Sequence, residues 1–492
     1  MKYFSTRNKK NIVTSKEAII KGIAEDGGLF VPETFPSLPP IDDLMNCSYK
    51  ELAYEILSLY LTDYTEEELK DAVNAAYDEK FSKTNAVEIK ETDTAFFLEL
   101  FHGPTLAFKD MALTILPYLL RSALKDKNLD KEVVILTATS GDTGKAALEG
   151  FKDIEGVNVI VFYPDGGVSP IQRLQMVTQR GNNTFVSGIR GNFDDAQNGV
   201  KEIFADEEYN QLLNNKGYVL SSANSINIGR LIPQVVYYVY AYLDLIKKGT
   251  IKKDESINIV VPTGNFGNIL AAYYAKQMGL PVNRLICASN DNKVLSDFFS
   301  TGEYNRKRDL LLTSSPSMDI LVSSNLERFL FHLSKGNEGL VKEKMDKLKT
   351  EGSYDWKDFS GENIYGGFAN EEEISNWIRK LYESENYIMD PHTAVAYAVH
   401  MKYLRETGDS TPSIIASTAS PYKFHGKVLK SIGKSTSGDE FKDLRILSEL
   451  MSDEIPDQMA ELEDLSEIHK DVCDKNKMKD IILQFLEVDK ND

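Results

Sequence analysis

The sequence predicts an α/β protein built on parallel sheets, preceded by a helical segment. From about residue 93 onward, short apolar runs end in Gly-rich or Ser/Thr-rich turns that open helical stretches, the pattern of crossover units in a parallel sheet. Before that point the apolar residues recur at helical spacing. At 492 residues the chain exceeds what one hydrophobic core fills, so two or more domains are expected.

Residues 1–92 read as a helical N-terminal domain. Thr14 and Glu17 have capping-box spacing, Ile19, Ile20 and Ile23 fall on one helical face, and Asp26-Gly27-Gly28 stops the helix. From Ile41 to about Thr84 the pattern stays amphipathic, with Leu52, Tyr54, Ile56, Leu57 and Tyr60 among acidic residues. Val133 to Leu136 then leads into Thr137-Ala138-Thr139-Ser140-Gly141-Asp142-Thr143-Gly144, and Val157 to Phe162 into Pro164-Asp165-Gly166-Gly167, each a strand, a turn and a helix. Ile257 to Val261 leads into Gly264-Asn265-Phe266-Gly267-Asn268 and a helical stretch that stops at Gly279. Leu285 to Ala288 and Ile414 to Ala416 read as further buried strands. Residues 436–492 form an acidic, helix-like segment, with Leu444, Ile446, Leu447 and Leu450 at helical spacing.

Composition narrows the function. Hydrophobic residues at 42% and charged residues at 27% are those of an ordinary globular protein, which argues against disorder and against a membrane span. A net charge of -19 opposes binding to phosphate backbones and anionic lipid, so neither nucleic acid nor membrane is an expected partner. Cys47, Cys287 and Cys473 lack the paired spacing of a zinc site or redox dithiol, and an odd number closes no disulfide framework. The first residues lack the apolar stretch of a secretory signal, so a cytoplasmic protein is expected. No pair of histidines has metal-ligand spacing, and no metal is expected.

Three segments carry chemistry. Lys109 stands behind Leu106-Ala107-Phe108 and ahead of a helical stretch, a position that would partly bury the amine and favour its neutral, nucleophilic form. Taken alone it reads more readily as a helix-entry lysine whose head snorkels to water. The loop Gly264 to Asn268, between a strand and a helix, can turn several amides inward at a helix N-terminus and hold a phosphate, although such turns also occur without a ligand. Thr139 to Lys145 resembles a nucleotide P-loop superficially. It has Thr139 where the first glycine is required and Ala146 where a hydroxyl is required, so it reads instead as a helix start able to hold a small carboxylate.

Phe101 to Asp110, Thr137 to Gly144, Ser222 to Arg230, Gly264 to Asn268 and Ser417 to Phe424, in that order, closely resemble the threonine synthase family. Tyr3 to Arg7 and Gly22 to Pro32 fit the same family's opening, so the resemblance runs to about residue 435. It implies the fold type II architecture of pyridoxal-phosphate enzymes. A large cofactor domain (93–112 and 225–435) carries a parallel sheet, a smaller mobile domain (113–224) closes over the substrate, and the helical N-terminal domain precedes both. By resemblance, Lys109 carries pyridoxal phosphate and shuttles protons, while Gly264, Asn265, Phe266, Gly267 and Asn268 hold the cofactor phosphate. Thr418 faces the ring nitrogen with a hydroxyl, which makes a milder electron sink suited to elimination. The implied substrate-binding residues are Thr105, Ser140, Asp142 and Thr143, the last three toward the carboxylate, and Ser225, Asn227 and Arg230 toward the phosphate. Asp142 is the awkward member, because a carboxylate beside a bound carboxylate is repulsive. Arg230 without that motif would read as a surface salt bridge.

The implied reaction is γ-elimination of phosphate from O-phosphohomoserine, then addition of water at the β carbon to give threonine. A monomer or small homo-oligomer is expected. Rival readings are a phospholyase or a serine or threonine dehydratase on the same fold, and a non-catalytic protein that binds metabolites. His102, His392 and His425 are expected to be mainly structural, with His102 near the site, and Glu461 to Asp464 to be a solvated helix face.

Overall fold

The computed structural model of the chain describes residues 1–126, 131–139, 141–356, 359 and 364–488. The N-terminal region is less helical than the sequence pattern suggests. Strands β1 (Tyr3–Ser5), β2 (Asn8–Val13) and β3 (Phe30–Pro32) form an antiparallel sheet in the order β2-β1-β3. The alternation that marks a strand is masked in β2, an edge strand whose only buried residue is Val13. The Thr14 and Glu17 capping box does form and opens the helix Ser15–Lys21. That helix ends at Gly22, with φ 69°, before Asp26-Gly27-Gly28, so Ile19 is buried while Ile23 lies beyond the helix and is exposed. Two further capping boxes, Ser48 with Glu51 and Thr65 with Glu68, open the helices Tyr49–Tyr60 and Glu66–Ala76.

Strands β4 (Glu88–Glu91) and β5 (Phe96–Glu99) pair as an antiparallel hairpin, so a division at residue 92 falls in its turn. The next helix, Leu116–Asp126, packs on the N-terminal helices Ser15–Lys21 and Glu66–Ala76, which places it with the N-terminal region rather than with the unit expected to begin at 113. Then come β6 (Glu132–Ala138), β7 (Val157–Pro164), β8 (Thr184–Arg190) and β9 (Tyr218–Ser221). They are followed by β10 (Ile257–Pro262), β11 (Val282–Ser289), the outlying pair β12 (Glu303–Asn305) and β13 (Ser353–Asp355), then β14 (Ile364–Phe368) and β15 (Ser413–Ser417).

Two sheets organise the chain. The six-stranded sheet has the order β14-β11-β10-β15-β5-β4 and is parallel except for the β4 edge. Every residue of β10 and β15 is buried, because helices cover both faces, and this explains why these strands read as unbroken apolar runs. Pro391–Thr407 packs along β10, β11, β14 and β15, while Gly267–Gln277 lies against β10 and β11 and joins Pro233–Lys247.

The five-stranded sheet, order β16-β8-β7-β6-β9, is wholly parallel. Its edge strand β16 (Asp471–Asp474) comes from the C-terminal segment, so the expected all-helical segment is corrected. Two apolar residues between aspartates are too short a signal to announce a strand. The same segment carries the helix Glu440–Met451, which packs on His425–Ser431, and the helix Met478–Phe485, whose Ile482 and Leu483 join Val134, Leu136 and Ile160 in one core. Leu444 and Leu447 are buried as their spacing suggests. Between those helices Arg173 holds Glu467 through two bonds of 2.7 and 2.8 Å, and Glu461–Glu463 forms a single 3-10 turn with Leu462 buried. Among the described residues, no helix is long and apolar enough to cross a membrane.

Candidate active site

Strands β5 and β15 are parallel neighbours, and the loops leaving their C-terminal ends meet, as expected where parallel sheets bind ligands. Phe108 N–H donates to the Thr418 carbonyl at 2.8 Å, and Ser420 N–H donates to the Leu106 carbonyl at 3.0 Å. Leu106 has φ 57°, and this left-handed turn delivers Lys109 to the start of the short helix Asp110–Leu113. Behind it the Asp110 carboxylate accepts the Thr105 N–H at 2.8 Å and the Thr105 hydroxyl at 2.5 Å. Gly103 is required there, since a methyl group would lie 2.6 Å from Asp110. Burial raises the Asp110 pKa to about 6. Thr105, expected to contact substrate, is fully buried and spends its polar atoms on Asp110 and Lys423, so it braces the loop.

Lys109 is itself buried, and its Nζ donates to Ser317 Oγ at 3.1 Å and lies 3.5 Å from Asp142 Oδ2. Desolvation pulls its pKa below the ordinary lysine value. Asp142 opposes that shift, while Lys423 and Arg230 add to it. The snorkelling alternative is thereby excluded: the amine is buried in a site that favours its uncharged, nucleophilic form.

At the end of β10, Phe266 adopts φ 62° and hands the chain to the helix beginning at Gly267. Gly264 admits no side chain, because a methyl group would approach the Ser317 carbonyl to 2.5 Å. Asn325 clamps the loop: its N–H and Nδ2 both donate to the Asn265 carbonyl at 3.1 Å, and Nδ2 also reaches the Ser225 carbonyl at 3.0 Å. The fully buried Arg328 donates in turn to Asn325 Oδ1 and to the carbonyls of Ile226 and Phe30. A methyl group on Gly267 would come no closer than 3.6 Å to its neighbours Asn325, Gln234 and Ser225, so no close approach forces a glycine there. The Asn268 Oδ1 accepts from the Tyr238 hydroxyl, while Asn268 Nδ2 is buried without a partner among the described residues.

Arg230 supplies a second orphan donor. It is buried, its Nη1 donates to the Ala223 carbonyl at 2.9 Å, and its Nε has no partner among the described residues. Burial lowers its pKa to about 10, and no carboxylate among the described residues neutralises it, so it is no surface salt bridge. A buried, unpaired guanidinium is costly unless an anion completes it. Ser225 borders the Gly267 loop. Asn227 differs from expectation: its Oδ1 caps Gly229 N–H at 2.9 Å and its Nδ2 donates to the Ile19 carbonyl at 2.9 Å, so the side chain ties this loop to the N-terminal helix.

Across from these, Gly141 takes φ 140°, and Asp142 and Thr143 open the helix Asp142–Phe151, with Thr143 half-buried; Ser140 lies outside the described residues. The Asp142 carboxylate is occupied by side chains of the protein. Its Oδ1 lies 2.7 Å from Lys423 Nζ and accepts from Gln172 Nε2 at 3.0 Å, while its Oδ2 accepts from Ser317 Oγ at 3.2 Å. Burial alone would raise the Asp142 pKa, but Lys423 and Lys109 hold it well below the usual carboxylate range. Thr418 is buried beside the Lys109 loop. His392 joins the periphery: its Nδ1 is 2.6 Å from Asp390 and its Nε2 accepts the Ser317 N–H at 3.3 Å. His102 instead pairs with Glu99 at 3.0 Å, and His425 with Glu440 at 3.0 Å. Sequence patterns alone give no role to Lys423, Ser317, Gln172, Asn325 or Arg328, and of these only Lys423 lies inside one of the family motifs.

A buried amine whose pKa is lowered, a glycine loop with an orphan amide and an anion-seeking guanidinium together fit a phosphorylated aldehyde cofactor and an anionic substrate. Residues 83–418 match the family of pyridoxal-phosphate dependent enzymes, which defines the class of this protein and its cofactor. Residues 2–77 match the threonine synthase N terminus and residues 393–482 the threonine synthase C-terminal model. The chain is 39% identical over 463 residues to threonine synthase of Schizosaccharomyces pombe, covering 86% of this chain and 87% of that one. It is 36% identical to the Saccharomyces cerevisiae enzyme with the same coverage, and 40% identical to human threonine synthase-like 1, of which it covers 58%. Crystal structures of threonine synthase from Brucella melitensis with pyridoxal phosphate bound, and from yeast, superpose with TM-scores of 0.87 and 0.88 at 33% identity over 99% of both chains. The chain belongs to the threonine synthase family.

Proposed function

We propose that this enzyme converts O-phospho-L-homoserine and water to L-threonine and inorganic phosphate in the cytoplasm, as a carbon–oxygen lyase acting on phosphate. Lys109 carries the cofactor, the loop Gly264 to Asn268 holds its phosphate through backbone amides and the Asn268 Nδ2, and Thr418 faces its ring. When bound, pyridoxal phosphate supplies the electron sink that makes the α and β protons of an amino acid labile. Lys109, whose burial favours the neutral amine, takes and returns those protons at the α and β carbons. Thr143 and the helix start it belongs to, together with Ser140, hold the substrate carboxylate, while Asp142 stays paired with lysine and does not oppose it. Arg230 and Ser225 bind the leaving phosphate, and the guanidinium stabilises the charge that grows as the carbon–oxygen bond breaks.

Arg230 is the observation that carries this reading. A dehydratase acting on serine or threonine has no use for a buried cation seeking an anion, whereas a phosphorylated substrate completes it. The acidic chain and its free cysteines, two of them buried, suit a small-molecule enzyme of a reducing compartment that binds neither nucleic acid nor membrane.

Product analysis tests the proposal. Purified protein mixed with pyridoxal phosphate and O-phosphohomoserine is expected to release threonine and phosphate in equal amounts, and the Lys109→Ala variant neither. Phosphate accompanied by 2-oxobutyrate would make the enzyme a phospholyase, and absence of phosphate would overturn the substrate.

A further inference from the structure

Two buried amines share one carboxylate at the site, and the second amine has no part in the chemistry above. Lys423 sits in the one-turn helix Pro421–Phe424 after β15, with its side chain wholly buried. Its Nζ lies 2.7 Å from Asp142 Oδ1 and donates to the Thr105 carbonyl at 2.8 Å. Lys109 Nζ stands farther off, 3.5 Å from Asp142 Oδ2, with Ser317 Oγ bonded to both. A desolvated carboxylate between two amines pairs with the nearer, because attraction strengthens steeply at short range where the dielectric is low. One negative charge then balances one positive charge, and a second positive charge on Lys109, which also faces Arg230, would go unbalanced.

We propose that Lys423 is a positioning residue for Lys109: by taking Asp142 as its nearer counter-ion, it limits how far that carboxylate stabilises a charged Lys109 and so favours the nucleophilic form of the amine. The proposal rests on Lys109 being the residue that carries the cofactor. Among the described residues, Asp110 is turned to Thr105 but also faces Lys423, His392 lies between Asp390 and the Ser317 N–H and faces Asp142, and Arg230 is the other cation facing Lys109. The direction in which Lys109 is driven agrees, since Asp142 opposes the effect of burial while Lys423 and Arg230 reinforce it.

The test is competitive labelling of the cofactor-free protein with acetic anhydride across pH, reading the Lys109 peptide by mass spectrometry. Lys423→Met is expected to raise the Lys109 midpoint by about one pH unit or more, and Asp142→Asn to lower it. Lys423→Arg should leave the midpoint in place, and the double variant should fall between the two single ones. The pH at which added pyridoxal phosphate develops its protein-bound absorbance should move in the same sense. A brace acting only through Thr105 would not produce shifts of opposite sign. An unmoved midpoint in Lys423→Met, or shifts of the same sign in both single variants, would overturn the proposal. Should Lys423→Met fail to fold, Asp142→Asn decides alone, a raised or unchanged midpoint being the contrary result. Borohydride trapping of the cofactor on another lysine would refute the assignment of Lys109 and leave the labelling result standing as a statement about charge.

Discussion

The site residues that can be read from the sequence are those whose local chain conformation already commits them. Lys109 follows a left-handed turn packed against the end of β15, and Gly264 is a glycine because a side chain would strike the Ser317 carbonyl. Residues that reach the site from a distant part of the chain leave no such trace. Asn325 and Arg328 open an ordinary-looking helix, and Ser317 lies in the one-turn helix Pro316–Met318; each reaches the site through contacts with residues far away in the sequence. Thr105 and Asn227 show the reverse: they lie in the right motifs, but their polar groups are committed to the backbone and to Asp110. For Arg230, truncation to alanine is expected to cost about 2–4 kcal/mol of transition-state binding, roughly 30- to 1,000-fold in kcat/KM for O-phosphohomoserine, without altering the bound-cofactor absorbance. A kcat/KM within about threefold of wild type, measured by phosphate release, would place the leaving group elsewhere.

Among the elements, capping chemistry is the most legible signal. The Thr14 box is evident from the residues alone, whereas the strand β2 just ahead of it is not, because a helix start is written in two specific residues and an exposed edge strand in none. The box at Thr65 does more than start a helix. Glu68 accepts the Thr65 N–H, a Ser122 hydroxyl bond and two bonds of 2.9 and 3.0 Å from the buried Lys16, joining three helices. Burial alone would raise the Glu68 pKa, but those partners take it down to about 2. A depressed carboxylate adds stability that is full above its unfolded value near 4.5 and fades as pH falls toward 2. Glu68→Gln is therefore expected to cost about 1–3 kcal/mol at pH 7, and the gap from wild type in urea unfolding should close between pH 5 and pH 2. A gap that is constant with pH would assign the loss to packing instead.

At the level of the whole molecule, the parallel core is legible because buried strands are unbroken apolar runs, while β16 is hidden by its brevity and its aspartates. The C-terminal segment is consequently part of the five-stranded unit's core. Ile482→Ala is expected to destabilise the protein by about 2–4 kcal/mol, seen as a lower urea midpoint, with little change in KM. A loss below about 0.5 kcal/mol would mean the segment only rests on the surface.

The same segment has a mechanical consequence. Glu440–Met451 is fastened beside the six-stranded sheet and β16 is stitched into the five-stranded one, with Arg173 and Glu467 locking the chain between them. The two sheets are thus linked by three passages of the chain, one ahead of β6, one after β9 and one returning at the C-terminus. Two passages close together act as a hinge pin and leave a plate free to swing; a third, attached at the far edge, works as a check strap that limits the arc. If the two sheets move against each other to admit substrate and shut out water, the slack of this C-terminal segment would bound that travel.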